Sequence, residues 1–162
     1  MIDDDDGDFD FNAEFSEEDN AEFERQRKED ERRLNEHPLY IQANEIMNIV
    51  DALMDTADEE AREMHAPLLR ESAMIICAKL SSGLTSDSYV ICMQKASVIR
   101  DHAEFLRLSN HTLDYSDAFD PNYVKLFREE MEKFRELFKL WAAEIHKMIP
   151  DFEDNDWGLF VK

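Results

Sequence analysis

Residues 127 to 148 read FREEMEKFRELFKLWAAEIHKM, with large apolar side chains at Phe127, Met131, Phe134, Phe138, Trp141, Ile145 and Met148. The steps alternate between four and three residues, which places all seven on one stripe of an α-helix. Seven large residues in one line are what a bundle core requires. Such strictly heptad spacing suits left-handed helix packing at about 20°, so the stripe reads as a packing seam rather than a cofactor slot.

The same period recurs upstream. Asp120-Pro121 combines an N-cap residue with a first-turn proline and opens this last helix. Before it, Tyr89, Met93, Ala96, Ile99, Ala103 and Leu106 mark a helix over about 86–109, and the link from Asn110 to Asp120 is long enough to permit a crossover. Another helix carries two apolar lines, Ala61, Met64, Leu68 and Ile75 beside Leu69, Ala73, Ile76 and Leu80. Pro67 is expected to kink or split it near Met64, and Gly83 is expected to close it as a left-handed cap. The first helix starts at His37-Pro38 and shows Leu39, Ala43, Ile46, Val50 and Leu53, widened by Met47 and Met54. These four segments predict an all-α protein, an antiparallel four-helix bundle over 37–162. A short aromatic C-terminal extension from Pro150, with Phe152, Trp157, Leu159 and Phe160, is expected to pack back onto the bundle.

Composition agrees. The 162 residues suit one domain, and three glycines with four prolines argue for long helices over a turn-rich β fold. A chain of this size needs no disulfide or metal to fold, and two cysteines, Cys77 and Cys92, make no secreted disulfide scaffold. Buried reduced thiols are expected, facing each other across the turn at Gly83. With no secretory signal and no long apolar run, the expected location is cytoplasmic.

The formal net charge of −21 repels phosphate backbones and anionic membranes, so neither direct nucleic-acid binding nor a membrane partner is expected. Residues 1–24 hold twelve acids and no Lys or Arg, more than half of that charge. This segment reads as a disordered acidic tail, with too little apolar surface to offset the entropy of ordering. Phe9, Phe11, Phe15 and Phe23 punctuate it in the pattern of an acidic-aromatic interaction segment. Residues 25–36, RQRKEDERRLNE, form a charged lead-in with the composition of a solvated helix.

Chemistry has few footholds. The residues three before His37, His65, His102, His111 and His146 are Leu34, Arg62, Ile99, Leu108 and Ala143, so the Glu-x-x-His pair of di-iron bundles is absent. No HExxH helix or zinc knuckle is present. Glu59-Glu60-Ala61-Arg62-Glu63 matches the EExxE half of the magnesium site in all-α nucleotide pyrophosphohydrolases, in which metal bridges carboxylates and substrate phosphates. The ExxD half has only a reversed counterpart in Asp101-His102-Ala103-Glu104, and acids in a first turn also suit the helix dipole. Arg32 and His37 have an interval found in helical ribonucleases of the HEPN type, whereas Arg107 to His111 is one residue too short. His65, Asp101, His102 and Glu104 would form a polar cluster if their helices pair. No cofactor or metal is expected, and Glu59, Glu60 and Glu63 are the candidates for an ion if one binds.

The segments HPLYIQANEI, ESAMIICAKL, MQKASVIRDHAEFL, LFREEMEKFRELFKLW and WGLF, spanning about 37–160, resemble a group of uncharacterised bacterial all-α proteins. That resemblance implies the fold and no site. A weaker resemblance runs to the four-helix-bundle family encoded in ribosomal-RNA intervening sequences, with Cys77 to Gly83 in the place of its ANIAEG-like segment. The Asn and Glu of that pattern and the family's basic surface are missing here.

The expected function is binding of another protein, self-association included, by a bundle without enzymatic chemistry. Leu126, Leu137 and Leu140 form a second stripe on the last helix, and Ile91 and Val98 widen the one before it. An apolar arc wider than one core face points to a subunit contact. The competing expectation is a metal-dependent nucleotide pyrophosphohydrolase using Glu59, Glu60 and Glu63.

Overall fold

A computed structural model describes residues 16–150 and 157–158. Among them the chain is all-helical: α1 Glu17–Glu36, α2 Pro38–Thr56, α3 Glu59–Leu84, α4 Tyr89–Tyr115 and α5 Pro121–Ile145, with no strand. It divides into one unit up to Arg32 and a second from Arg33 onward. Phe9, Phe11, Phe15 and most of the C-terminal extension lie outside the described residues.

In the first unit, helix extends into the segment expected to be an unstructured tail. Ser16 starts it with a reciprocal cap: Asp19 N–H donates to Ser16 Oγ at 3.1 Å, and Ser16 N–H donates to Asp19 Oδ2 at 3.2 Å. The Ser-x-x-Asp spacing resembles a capping box, a start signal legible in residues 16–19. α1 buries no residue, and Phe23 is exposed.

The second unit is a helical bundle. α2 packs on α3 and α5, and α4 packs on the same two helices. The expected core stripes of α2 and α5 land inside. Leu39, Ala43, Ile46, Val50 and Leu53 of α2 are buried, as are Phe127, Met131, Phe134, Trp141 and Ile145 of α5. Phe138 and Met148 pack half-buried against them. No helix among the described residues is long and apolar enough to cross a membrane.

The helix ends follow local chemistry. His37, in extended backbone, accepts the Leu39 N–H on Nδ1 at 3.2 Å while Pro38 fills the first helical position. Asp58, Ser88 and Asp120 cap α3, α4 and α5 in the same way.

Four local expectations are corrected. Pro67 does not split α3, which is continuous from Glu59 to Leu84. Pro67 and Glu63 are both on the exposed side, so the Glu63 carbonyl that loses its donor faces water. Gly83 is buried and helical rather than left-handed; among the described residues the positive-φ glycine is Gly158. A Cβ on Gly83 would lie 3.2 Å from the Trp141 ring and 3.3 Å from Lys95 Cβ, so glycine is there for space. α4 continues to Tyr115 because Asn110 and Leu113 prolong its buried line, and this leaves only residues 116–120 as a link. Trp157 is 85% exposed, so this part of the extension does not bury itself in the bundle.

Candidate interaction surface

The two apolar lines of α3 have different fates. Leu69, Ala73, Ile76 and Leu80 are 2% exposed or less, whereas Met64 and Leu68 are 63% and 56% exposed. Only one line fits the core, because an amphipathic helix at a bundle corner turns a limited arc inward. The other remains available.

Ser72 Oγ sits 3.1 Å from His102 Nδ1 and fixes how α3 and α4 align. Further along α3, Gly83 approaches Lys95, which precedes His102, so the contacts run in opposite sequence order. One turn back from Ser72 is Leu68, and about one turn on from His102 is Phe105. In the other direction a three-residue step on α3 reaches Ile75 and a four-residue step on α4 reaches Val98. Ile91, Val98 and Phe105 recur at seven-residue steps along α4, with Ile91 and Phe105 exposed and Val98 half-buried. The outer groove between α3 and α4 is therefore walled by aliphatic and aromatic side chains over a Ser72–His102 floor. Exposed Leu108 extends its α4 rim. Sequence reading had Ile91 and Val98 but assigned Leu68 to a helix face without separating it from the core; the seven-residue step on to Phe105 was the available signal.

The α5 candidates are less continuous. Leu140 is 65% and Leu126 38% exposed, while Leu137 is half-buried against the core. Between Leu126 and Leu137 lies a polar connection to α2. Gln42 Nε2 donates to Glu130 Oε2 at 2.7 Å, and Lys133 bonds the same carboxylate. Those donors, Lys133 first, hold the nearly buried Glu130 carboxyl below its ordinary range.

No family model, curated protein or solved structure matches this chain.

The remaining candidates separate. Glu59, Glu60 and Glu63 are exposed on the first turns of α3. Arg62 between them turns back to donate to the Met54 and Ala57 carbonyls at 3.0 Å each. From the Ser72–His102 alignment, Asp101 lies roughly 15 Å along the α3 axis from Glu63. Among the described residues no three His, Cys, Asp or Glu side chains are placed to hold a metal. The expected His65–Asp101–His102–Glu104 cluster is also divided. His65 meets the Phe119 ring edge-on at 5.5 Å, Asp101 pairs with Arg100, His102 meets Ser72, and Glu104 pairs with Arg107. Arg32 pairs with Glu29, while His37 is occupied as a cap.

Neither Cys77 nor Cys92 forms a disulfide. The Cys92 thiol lies 3.4 Å from the Gly83 and Ser86 carbonyls as a donor. Burial raises the pKa of Cys77 and disfavours its thiolate.

Two concavities of the second unit gather charged side chains. One of about 290 Å³ at the end of the bundle is bordered by Arg33, His37, Asp87, Glu144 and Trp141. Another of about 150 Å³ between α4 and α5 has Met131, Phe134 and Phe138 beneath Arg100, Arg107 and Arg135. Glu104 and Glu132 engage Arg107 and Arg135 at 2.8 and 3.0 Å, and Arg100 makes an exposed contact with Asp101 at 3.0 Å.

Proposed function

We propose that this chain is a non-enzymatic helical-bundle protein that acts by binding other proteins, and that its working surface is the outer face of α3 and α4. The observation that carries the reading is the exposure of Leu68 and Phe105 at one level of a groove, with Met64 and Leu108 on its rims. Exposed apolar side chains gathered on one face and rimmed by polar residues mark interaction sites. The scaffold is an antiparallel four-helix bundle of α2 to α5. Supporting it, Asp51–Arg70, Gln42–Glu130, Ser72–His102 and Asp114–Arg128 join the four neighbouring pairs. A second contact in each pair, Met54–Arg62, Thr56–Asp120, Gly83–Lys95 and Arg107–Glu132, runs in the reverse order.

A second copy on the same face is the homomeric form of this reading. The test measures molar mass by size-exclusion chromatography with light scattering, and capture of partners from the native host, for the wild type and a Leu68→Ser/Phe105→Ser variant. Loss of self-association or of a captured partner at unchanged thermal stability supports the reading. A wild type that is monomeric, with a partner set indifferent to the double change, overturns it.

A further inference from the structure

The groove between α3 and α4 has an internal pattern. On α3, Leu68, Glu71 and Ile75 follow one another at steps of three and four; on α4, Val98, Asp101 and Phe105 do the same. With Ser72 and His102 in contact, Leu68 falls opposite Phe105 and Ile75 opposite Val98. Glu71 and Asp101, both exposed, lie at the level between, one on each helix. The groove is thus apolar, acidic, apolar along its length, the apolar levels being roughly 10 Å or two helical turns apart.

The charge on this face is divided along its length: acids lie beside and before the central level, whereas Lys79 and Lys95 stand one turn beyond Ile75 and Val98. Glu60, Glu63 and Glu71 make no ion pair among the described residues, and all three are exposed. Asp101 has an exposed pairing with Arg100 at 3.0 Å, which solvent weakens. The α3 arginines are directed elsewhere, Arg62 to backbone carbonyls and Arg70 to Asp51 of α2. Two chains of −21 repel each other, which disfavours a second copy as the occupant.

We propose that this groove docks a basic amphipathic helix, with apolar residues seven apart that fill the Leu68/Phe105 and Ile75/Val98 levels and a Lys or Arg between them that reaches Glu71 and Asp101. The proposal rests on the protein-binding reading and names the partner's chemistry. Helix-in-groove recognition of this kind takes its affinity from the apolar anchors and its orientation and specificity from the central charge pair.

The probe is a synthetic helical peptide with Leu at two positions seven apart and Lys midway, on an otherwise Ala/Gln/Lys background. Two controls replace the Leu pair by Gln or the central Lys by Glu. Binding is followed by fluorescence anisotropy at physiological ionic strength and located by amide chemical shifts. The parent peptide is expected to bind at residues of α3 and α4, and each control to bind about tenfold or more weakly. Leu68→Ser/Phe105→Ser and Glu71→Lys/Asp101→Lys should each weaken the parent peptide by a similar factor, and Leu140→Ser should leave it unchanged. Failure of the parent peptide to bind, equal binding of the Leu-free peptide, or shifts located elsewhere overturns the proposal. A wild-type dimer broken by Leu68→Ser/Phe105→Ser also overturns it, since the occupant is then a second copy, while the protein-binding reading stands.

Discussion

Asn110 is 1% exposed on the buried line of α4, and neither its Oδ1 nor its Nδ2 hydrogen-bonds any group among the described residues. A buried amide without partners costs about 1–3 kcal/mol relative to its hydrated state. Leucine has the same branching and heavy-atom count, so Asn110→Leu removes that cost and adds apolar burial between Leu106 and Leu113. Against this, methyl groups are bulkier than the amide atoms, and overpacking a dense core costs about 1 kcal/mol at its mild end. The balance favours the variant by about 1–2 kcal/mol, or a Tm rise of roughly 2–8 °C for a chain of this length. Urea unfolding of both proteins measures it, with an unchanged m-value showing that the unfolded states are comparable. A variant no more stable than the wild type refutes the reasoning, because the amide must then be hydrogen-bonded in solution.

Gly83→Ala should destabilise by about 1 kcal/mol: the added Cβ meets the Trp141 ring at 3.2 Å, and overpacking of about 1–3 kcal/mol outweighs the 0.5–1 kcal/mol that alanine returns in helix propensity; chemical denaturation reads the sign. His37 has its pKa lowered, by burial first, opposed by Glu144 and assisted by Arg33. The folded state therefore prefers the neutral imidazole that caps α2. Its contribution is fully present above the unfolded value near 6.5 and is lost as pH falls through the folded value. The pH dependence of Tm below neutrality should become shallower in His37→Asn, which retains a cap and does not titrate. The Glu59, Glu60 and Glu63 side chains should give no Tm rise with Mg²⁺ or Mn²⁺, whereas a native-state ion at 100 times its Kd would add about 2.7 kcal/mol; a rise, or pyrophosphate release from nucleotides, would favour the hydrolase reading.

The bundle was legible in the sequence wherever one apolar line dominated a helix. On α2 the residues at four- and three-residue steps, Leu39, Ala43, Ile46, Val50 and Leu53, are all buried, and on α5 the aromatic stripe outweighs the second line at Leu126, Leu137 and Leu140. α3 was ambiguous for a physical reason: Met64 and Leu68 continue a helical period as well as Leu69 and Ile76 do, and periodicity alone does not say which line meets a neighbour. The end of α4 was misread because Asn110, His111, Thr112 and Asp114 have the composition of a loop, although Leu113 keeps the core spacing. Gly83 looked like a terminator because glycine is common there; its cause is the indole of Trp141, which is 58 positions away in sequence (141 − 83) and invisible to local rules. The α3–α4 groove is likewise a property of two helices together. Ile91 and Val98 announced one wall, and only the Ser72–His102 contact placed Leu68 and Ile75 across from Val98 and Phe105.

Adjacent leucines on α3 give the most direct test of which face turns inward. Leu69 is 2% exposed and Leu68 56%. Equilibrium unfolding should show Leu69→Ala losing about 2–5 kcal/mol and Leu68→Ala staying within about 0.5 kcal/mol of the wild type. Equal losses, or the larger loss at Leu68, would mean that α3 packs by its other line and that no apolar groove is left for a partner.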